Sequence, residues 1–382
     1  MRIAIDYSAA VNQRAGVGRL VRNQVLALAE VDQINDYRLI YARPNRGSAP
    51  PQFPKARNFS RREIGLRERW LTIMWHRAKV PLAADWLSGP VDVYHSPDFV
   101  LPPLRRARGI LTVHDLAFLM RPECADAHLR AYLEEVVPRS VRRADYIIAD
   151  SENTRNDLVV LLGVHPNAVS VVPGGVEHRF VPVTDASALA EARARLGVGD
   201  NPFILAIGVI EPRKNLSLLM DAFGLLKRRQ IGPPNLKLVL AGGNGWLVDG
   251  ILEHHAASPL HADMLLPGFI ADELLPAVYS AAEVLAFPSL YEGFGLPILE
   301  AMACGTPVVA SRASCLPEVA EGAAIMVDPD DVEDLAGALE RALTDADLRA
   351  RLIERGHERA AEYTWQRAAE RLLDVYRLVV SG

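Results

Sequence analysis

Short apolar runs alternate with helical stripes along most of this chain. Residues 3–7 (IAIDY) form a brief apolar run that ends at a loop, the pattern of a strand buried on both faces. A glycine-containing loop follows, Arg14-Ala15-Gly16-Val17-Gly18-Arg19, and then Leu20, Val21, Val25, Leu26 and Leu28 recur at helical spacing. Strand, glycine loop and helix in that order open a doubly wound α/β domain. The same reasoning predicts strands over 37–41, 91–95, 109–113, 146–149 and 169–172. Pro173-Gly174-Gly175 then breaks the pattern, and a polar, Ala-rich helix is predicted near 185–196. A second alternation begins at 203–208 (FILAIG). It predicts strands over 237–241, 264–266, 284–287 and 307–310, and helices from Leu216, over 272–282 and over 296–303. After Val332 the pattern is helical throughout, and no repeat, low-complexity tract or heptad array interrupts the chain.

At 382 residues the chain is too long for one core, and the two alternations divide it naturally. The expected fold class is α/β, with two Rossmann-like doubly wound domains. The first is expected over 1–180 and the second over 181–365. A last helix, 366–382, is expected to cross back to the first domain. Ligands of parallel sheets lie beyond the carboxyl ends of the strands, so a cleft between the two sheets is the expected site.

Charge narrows the function classes. The net charge of −5 gives no nucleic-acid signature. Three scattered cysteines, Cys124, Cys304 and Cys315, form no CxxC and no paired framework, which fits a reducing cytoplasm. Asp6 falls where a secretory signal would need its apolar stretch. No apolar run approaches the roughly 20 residues that span a bilayer. A cytoplasmic protein is expected, touching a membrane only from its surface.

Two segments carry candidate chemistry. In Glu211-Pro212-Arg213-Lys214-Asn215, two cations follow a buried strand and precede a helix. Fixed cations beside the positive end of a helix suit a diphosphate, although residue types alone allow a solvated basic pair on a turn equally well. The run Glu292-Gly293-Phe294-Gly295-Leu296-Pro297-Ile298-Leu299-Glu300 puts one carboxylate in a glycine-rich loop and the other about a turn into a helix. Gly293 and Gly295 let backbone N–H groups approach a ligand, and Pro297 sits where a missing N–H costs nothing. Taken singly, Glu292 and Glu300 also read as ordinary helix-start and helix-surface acids.

Taken together they resemble something specific. The spacing Glu292 to Glu300 is the E-x7-E motif of the retaining glycosyltransferases of family 4, which share the GT-B fold of two Rossmann-like domains. The context FPSLYEGFGLPILEAMACGTPVVAS is a very close match to that family's pattern. AIGVIEPRKNLSLLMDAF, VYHSPDF, LTVHDLAF, ADSENTRNDL and VSVVPGGVEHRF are also similar, so the resemblance runs from Arg2 to about Tyr376. It implies that domain 1–180 binds the acceptor and domain 181–365 a nucleotide sugar, and that Arg213 and Lys214 hold the donor's diphosphate and stabilise the leaving group. Glu300 would bind the nucleotide ribose and Glu292 the transferred sugar. The amides of Phe294, Gly295 and Leu296 would line the sugar and phosphates. Gly16 would bring backbone to the diphosphate or acceptor, and His114 would contact the donor sugar, with Asp115 orienting its surroundings. For a histidine that ends an apolar strand, a satisfied structural role is the commoner case.

The donor substrate implied is a nucleotide-diphosphate sugar, with no cofactor and no metal. The Glu-Pro-Arg-Lys-Asn form resembles bacterial mannosyltransferases of polysaccharide assembly, so GDP-mannose leads, with UDP-glucose and dTDP-rhamnose open. The acceptor would be a glycan or lipid-linked glycan hydroxyl. A sugar-nucleotide epimerase on the same fold and a non-catalytic sugar-nucleotide-binding subunit are the rival readings. Asp328-Pro329-Asp330 is literally D-x-D, but it precedes the Val332 helix and reads as helix-start acid. Gly16-Val17-Gly18 falls short of a dinucleotide fingerprint. Finally, residues 55–79 are basic and aromatic: Lys55, Arg57, Arg61, Arg62, Arg67, Arg69, Arg77 and Lys79 with Phe59, Trp70 and Trp75, and Arg105, Arg106 and Arg108 nearby. This stretch fits contact with anionic lipid or a lipid-diphosphate acceptor. A helix with a solvated basic face and its Trp side chains in the core fits it too.

Overall fold

A computed structural model of the chain describes residues 1–13, 16–45, 52–78 and 80–381. Arg14, Ala15 and Lys79, named above, lie outside the described residues. The chain divides into two compact units. The first comprises Met1–Leu116, Ala131–Gly175 and Thr364–Gly382, and the second Ala117–Arg130 and Val176–Tyr363. A single cut at residue 180 does not anticipate the segment Ala117–Arg130. It joins the second unit, where Trp246 Nε1 donates to the Cys124 carbonyl at 2.7 Å.

The first unit holds a seven-stranded sheet. Its strands are β1 (Arg2–Asp6), β2 (Asp36–Ala42), β3 (Phe59–Ile64), β4 (Val93–Ser96), β5 (Arg108–Val113), β6 (Tyr146–Ala149) and β7 (Val169–Val171). They lie in the order β3-β2-β1-β4-β5-β6-β7, and every pairing is parallel. Strand order therefore reverses between β1 and β4. One face is covered by the helices Val17–Val31 and Trp365–Ser381. Leu20, Val21, Val25 and Leu28 of the first pack with Ala369, Leu372 and Tyr376 of the second over Ile3 and Ile5. The Tyr376 hydroxyl reaches His95 Nδ1 at 2.9 Å, tying the last helix to β4. Gly18 is a packing residue: an added Cβ would lie 2.3 Å from the Gln13 carbonyl.

β3 corrects the reading of the basic stretch as a helix over Phe59–Ile64, whereas Glu68–Thr72 and Ile73–Arg77 are helical and Trp75 is buried. The β3 pattern FSRREI has apolar residues only at the ends, so it carries no strand alternation. Backbone pairing with β2 and stacking of Phe59 on Tyr37, 4.3 Å between centroids, hold it in place. Arg61, Arg62 and Glu63 lie on this exposed edge strand, where charges discourage pairing with other chains.

The second unit holds a six-stranded sheet. Its strands are β8 (Phe203–Ile207), β9 (Lys237–Ala241), β10 (Met264–Gly268), β11 (Val284–Phe287), β12 (Val308–Ser311) and β13 (Ile325–Val327). Their order is β10-β9-β8-β11-β12-β13, all parallel, and it reverses between β8 and β11. β13, three residues following Gly322-Ala323-Ala324, is too short for its pattern to register. Successive strand residues face opposite cores. Phe203, Leu205, Leu285 and Phe287 enter one cluster, and Ile204, Ala206, Val284 and Ala286 the other. The D-x-D segment follows β13. Asp331 caps the helix Val332–Thr344, accepting from the Glu333 and Asp334 amides.

Candidate active site

In the second unit the loops that follow β8 and β11 lie on either side of the reversal in strand order, where ligands of such sheets bind. After β8, Pro212 starts a short helical turn, Pro212–Lys214. Asn215, at φ 55°, turns the chain into the helix Leu216–Arg228. The Asn215 amide group donates to the Pro288 and Pro329 carbonyls, fastening this loop to the one after β11.

That arrangement brings Arg213, Lys214 and Glu292 together. Arg213 Nη1 donates to Glu292 Oε2 at 2.6 Å and to the Tyr291 carbonyl at 2.8 Å. Lys214 Nζ donates to Glu292 Oε1 at 2.5 Å and lies 4.8 Å from the centroid of Phe287. Glu211, only 2% exposed, takes the other edge of the guanidinium, with Nη2 at 2.7 Å. Burial alone would raise the Glu292 pKa, but Arg213 and Lys214 outweigh it and hold the carboxyl at about 2. Burial lowers the Lys214 pKa, and the ion pair with Glu292 opposes that shift. Two nearly buried cations thus share one carboxylate, with Glu211 as a further counter-charge on Arg213.

Downstream, the loop is pinned from outside. Ser314 Oγ accepts from the Glu292 amide, and Cys315 Sγ donates to the carbonyls of Glu292 and Phe294. Gly295 caps the helix Leu296–Ala303 at φ 101°, a conformation that favours glycine, and an added Cβ would lie 2.9 Å from Leu316 Cδ2. The amides of Phe294, Gly295 and Leu296 donate to no described protein acceptor, as the start of a helix leaves them. Phe294 itself is a core residue, its ring edge-on to Tyr363. Glu300 is 3% exposed on the Leu296–Ala303 helix and accepts from the Tyr279 hydroxyl at 2.9 Å.

Two other candidates lie in the first unit. Gly16 is exposed and precedes the helix Val17–Val31 at φ 58°. His114 is 6% exposed, and both its ring nitrogens have protein partners. Nδ1 is 2.8 Å from Asp150 Oδ2, and Nε2 is 2.9 Å from the Pro97 carbonyl. Burial opposes protonation, yet the Asp150 charge and hydrogen bond raise the pKa to about 9. Both partners are acceptors, so the ring is an imidazolium donating twice. Asp150 is a carboxylate that orients His114. β5 and β6 run in register, Val113 opposite Ala149, so the next residue on each strand meets its counterpart. Glu211, Tyr279 and Ser314 were likewise not singled out from the sequence.

Residues 170–359 match the model for glycosyl transferases group 1, and residues 14–180 that for glycosyltransferase family 4. O-antigen chain mannosyltransferase B of Escherichia coli is 30% identical over 376 residues, covering 95% of this chain and 96% of that protein. The chain belongs to the family 4, group 1 glycosyltransferases. Among solved structures, sucrose-phosphate synthase from Thermosynechococcus elongatus has a TM-score of 0.75 at 21% identity, covering 100% of this chain and 99% of that one. Anabaena HepE in complex with UDP and glucose has a TM-score of 0.72 at 18% identity, covering 98% and 99%. The fold is GT-B, with two Rossmann-like domains, and the protein is a glycosyltransferase.

Proposed function

We propose that this glycosyltransferase moves a hexose, mannose first among the candidates, from a nucleotide-diphosphate sugar to a hydroxyl of a glycan or lipid-linked glycan. In this reading the anomeric configuration is retained and no metal is needed. The observation that carries it is the cluster of Arg213, Lys214 and Glu292 at the strand-order reversal of the second sheet. Breaking the bond between sugar and diphosphate leaves negative charge on the departing phosphate. Two fixed cations and the free amides at the start of the Leu296–Ala303 helix meet that charge, which is what a divalent cation does elsewhere. Glu292 bridges the cations and would turn to the sugar as the phosphates take its place. Glu300, held by Tyr279, would accept from the ribose hydroxyls. None of these carboxylates is left as an evident nucleophile, so a front-face departure and attack fits the residues better than double displacement. The preference for mannose rests on the Escherichia coli mannosyltransferase. Its test is to incubate the protein with GDP-mannose, UDP-glucose or dTDP-rhamnose, with and without a mannobiose acceptor. NMR of the products should show an α-linked mannose formed from GDP-mannose in the presence of EDTA. An inverted linkage, a requirement for manganese, or a donor altered without acceptor would each overturn part of the reading.

A peripheral membrane contact belongs to the same proposal. Trp70 is 51% and Trp86 55% exposed, with Arg69 and Arg105 stacked on them, whereas Trp75 is in the core. Arg57, Arg61, Arg62, Arg67 and Arg77 are exposed as well. No helix among the described residues is long and apolar enough to cross a membrane. Exposed Trp beside Arg suits an anionic interface. Flotation with vesicles rich in phosphatidylglycerol at low salt should carry the protein, and Trp70→Ser with Trp86→Ser should release it.

A further inference from the structure

The first unit carries a second polar cavity, at the strand-order reversal of its own sheet. Asp6 ends β1, Ser96 ends β4 and Asp98 follows two residues later. With Glu68, Trp75 and His76 they line a cavity of about 60 Å³ that opens to solvent. Each carboxylate is held by one neighbour: Asp6 by Ser8, Glu68 by Asn12 and Asp98 by Gln13. A carboxylate accepts about four hydrogen bonds, so all three retain acceptor capacity. Ser96 is 2% exposed, and its Oγ has no hydrogen-bond partner among the described residues. His76, 7% exposed, has no hydrogen-bond partner among the described residues. Buried polar groups of this kind are ordinarily satisfied, so unpaired ones lining a cavity point to a ligand.

The lining also says which ligand. Among the described residues it contains no Lys or Arg, so a phosphate would meet three carboxylates; the imidazolium that acts on Asp98, His114, already donates to Asp150 and the Pro97 carbonyl. No set of three or more His, Cys, Asp or Glu among the described residues converges to hold a metal ion. What remains is a neutral ligand rich in hydroxyl donors. Trp75, fixed by its Nε1 hydrogen bond to the Leu82 carbonyl, adds the aromatic wall that sugar C–H faces pack on.

We propose that this cavity is the acceptor subsite and takes an uncharged sugar ring, whose hydroxyls donate to Asp6, Glu68 and Asp98 and pair with Ser96 and His76. The proposal rests on the glycan-acceptor reading above. Its test compares Asp98→Asn and Ser96→Ala with the unaltered full chain, using GDP-mannose and mannobiose. Asp98→Asn is expected to raise the acceptor KM roughly tenfold and Ser96→Ala severalfold, since charged hydrogen bonds are worth more than neutral ones. The Kd for GDP should stay within about twofold, because a different domain of the fold is assigned to the donor. Ser96→Ala should also keep its melting temperature, as the lost hydroxyl has no partner among the described residues. Unchanged acceptor KM in both variants, or a parallel loss of GDP binding, overturns the subsite. If Asp98→Asn does not fold, Glu68→Gln takes its place. If no donor supports transfer, the functional reading fails on its own. Saturation-transfer NMR with methyl α-mannoside then decides the cavity: a signal lost in Ser96→Ala sustains it, and no signal from the unaltered chain overturns it.

Discussion

Glu292 Oε1 lies 2.5 Å from Lys214 Nζ, and the same carboxylate binds Arg213 through its other oxygen. The cations proposed to hold the diphosphate already have an anionic partner. A diphosphate must compete with that carboxylate, so Glu292 sets an opposing term in donor binding as well as contacting the sugar. Glu292→Gln is therefore expected to tighten GDP binding, on the order of tenfold, while transfer falls. It should also cost about 3 kcal/mol of stability, since two nearly buried cations lose their shared partner. Calorimetry with GDP and thermal melts check the two halves. Unchanged GDP affinity would mean that the diphosphate does not displace Glu292.

Lys214→Met removes charge that matters most as the leaving group departs. Its kcat is expected to fall by about 10² to 10³, with a smaller change in donor KM. Pre-steady-state measurement of the transfer step separates this from binding. A variant that loses only affinity would move the leaving-group role to Arg213.

The two ion pairs give stability opposite pH limits. Glu292 is held at about 2, below its ordinary value, so its contribution is present above about 4.5 and is lost as pH falls toward 2. His114 is raised to about 9, so its contribution is full below about 6.5 and is lost as pH rises through 9. Melts between pH 6 and 10 should show the alkaline loss in the unaltered chain. Asp150→Asn should flatten it and lower stability at pH 6 by a few kcal/mol. An alkaline slope that survives Asp150→Asn would assign it to another group.

Much of this was legible in the sequence because parallel strands buried on both faces write themselves as short apolar runs. The strands at 146–149, 237–241 and 284–287 read correctly to the residue. β3 did not, because an edge strand made of Arg, Ser and Glu owes its place to backbone pairing with β2, which leaves no mark on side-chain pattern. The donor-site candidates were legible as a motif, but their partners were not. Glu211 and Tyr279 act through contacts made by the folded chain, and Asp150 meets His114 only because β5 and β6 share a register. The cavity of the first unit was invisible for the same reason: Asp6, Glu68 and Asp98 are far apart in sequence and carry no spacing signal.

Tyr279 offers a test of Glu300 that spares the carboxylate itself. Its hydroxyl donates to Glu300 Oε2 at 2.9 Å, and both groups are buried. Tyr279→Phe keeps the ring and removes its hydrogen bond to this oxygen. GDP and donor affinity should fall about fivefold, the worth of roughly 1 kcal/mol, with kcat nearly unchanged. Glu300→Ala should fall further in the same direction. If Glu300→Ala left GDP affinity intact, the ribose assignment would be wrong.

The acidic cavity makes a prediction about stability that runs against its proposed use. Asp6, Glu68 and Asp98 all have pKa values raised from their ordinary values by burial; repulsion from Asp6 and Asp98 adds to this for Glu68, and for Asp98 repulsion from Asp6 adds to it while the His114 imidazolium opposes it. A raised folded-state pKa means that the folded chain binds more protons than the unfolded one between the two values. Stability therefore falls as pH rises through that window and stays lower above it. At neutral pH the three carboxylates therefore oppose folding. Asp98→Asn, which can still accept from Gln13, should raise the melting temperature by a few degrees at pH 7 and leave it nearly unchanged at pH 4. The gain should shrink when the unaltered chain is melted with saturating mannobiose, because hydroxyl donors relieve the same repulsion. A loss of stability in Asp98→Asn at pH 7 would instead make the carboxylate a structural anchor.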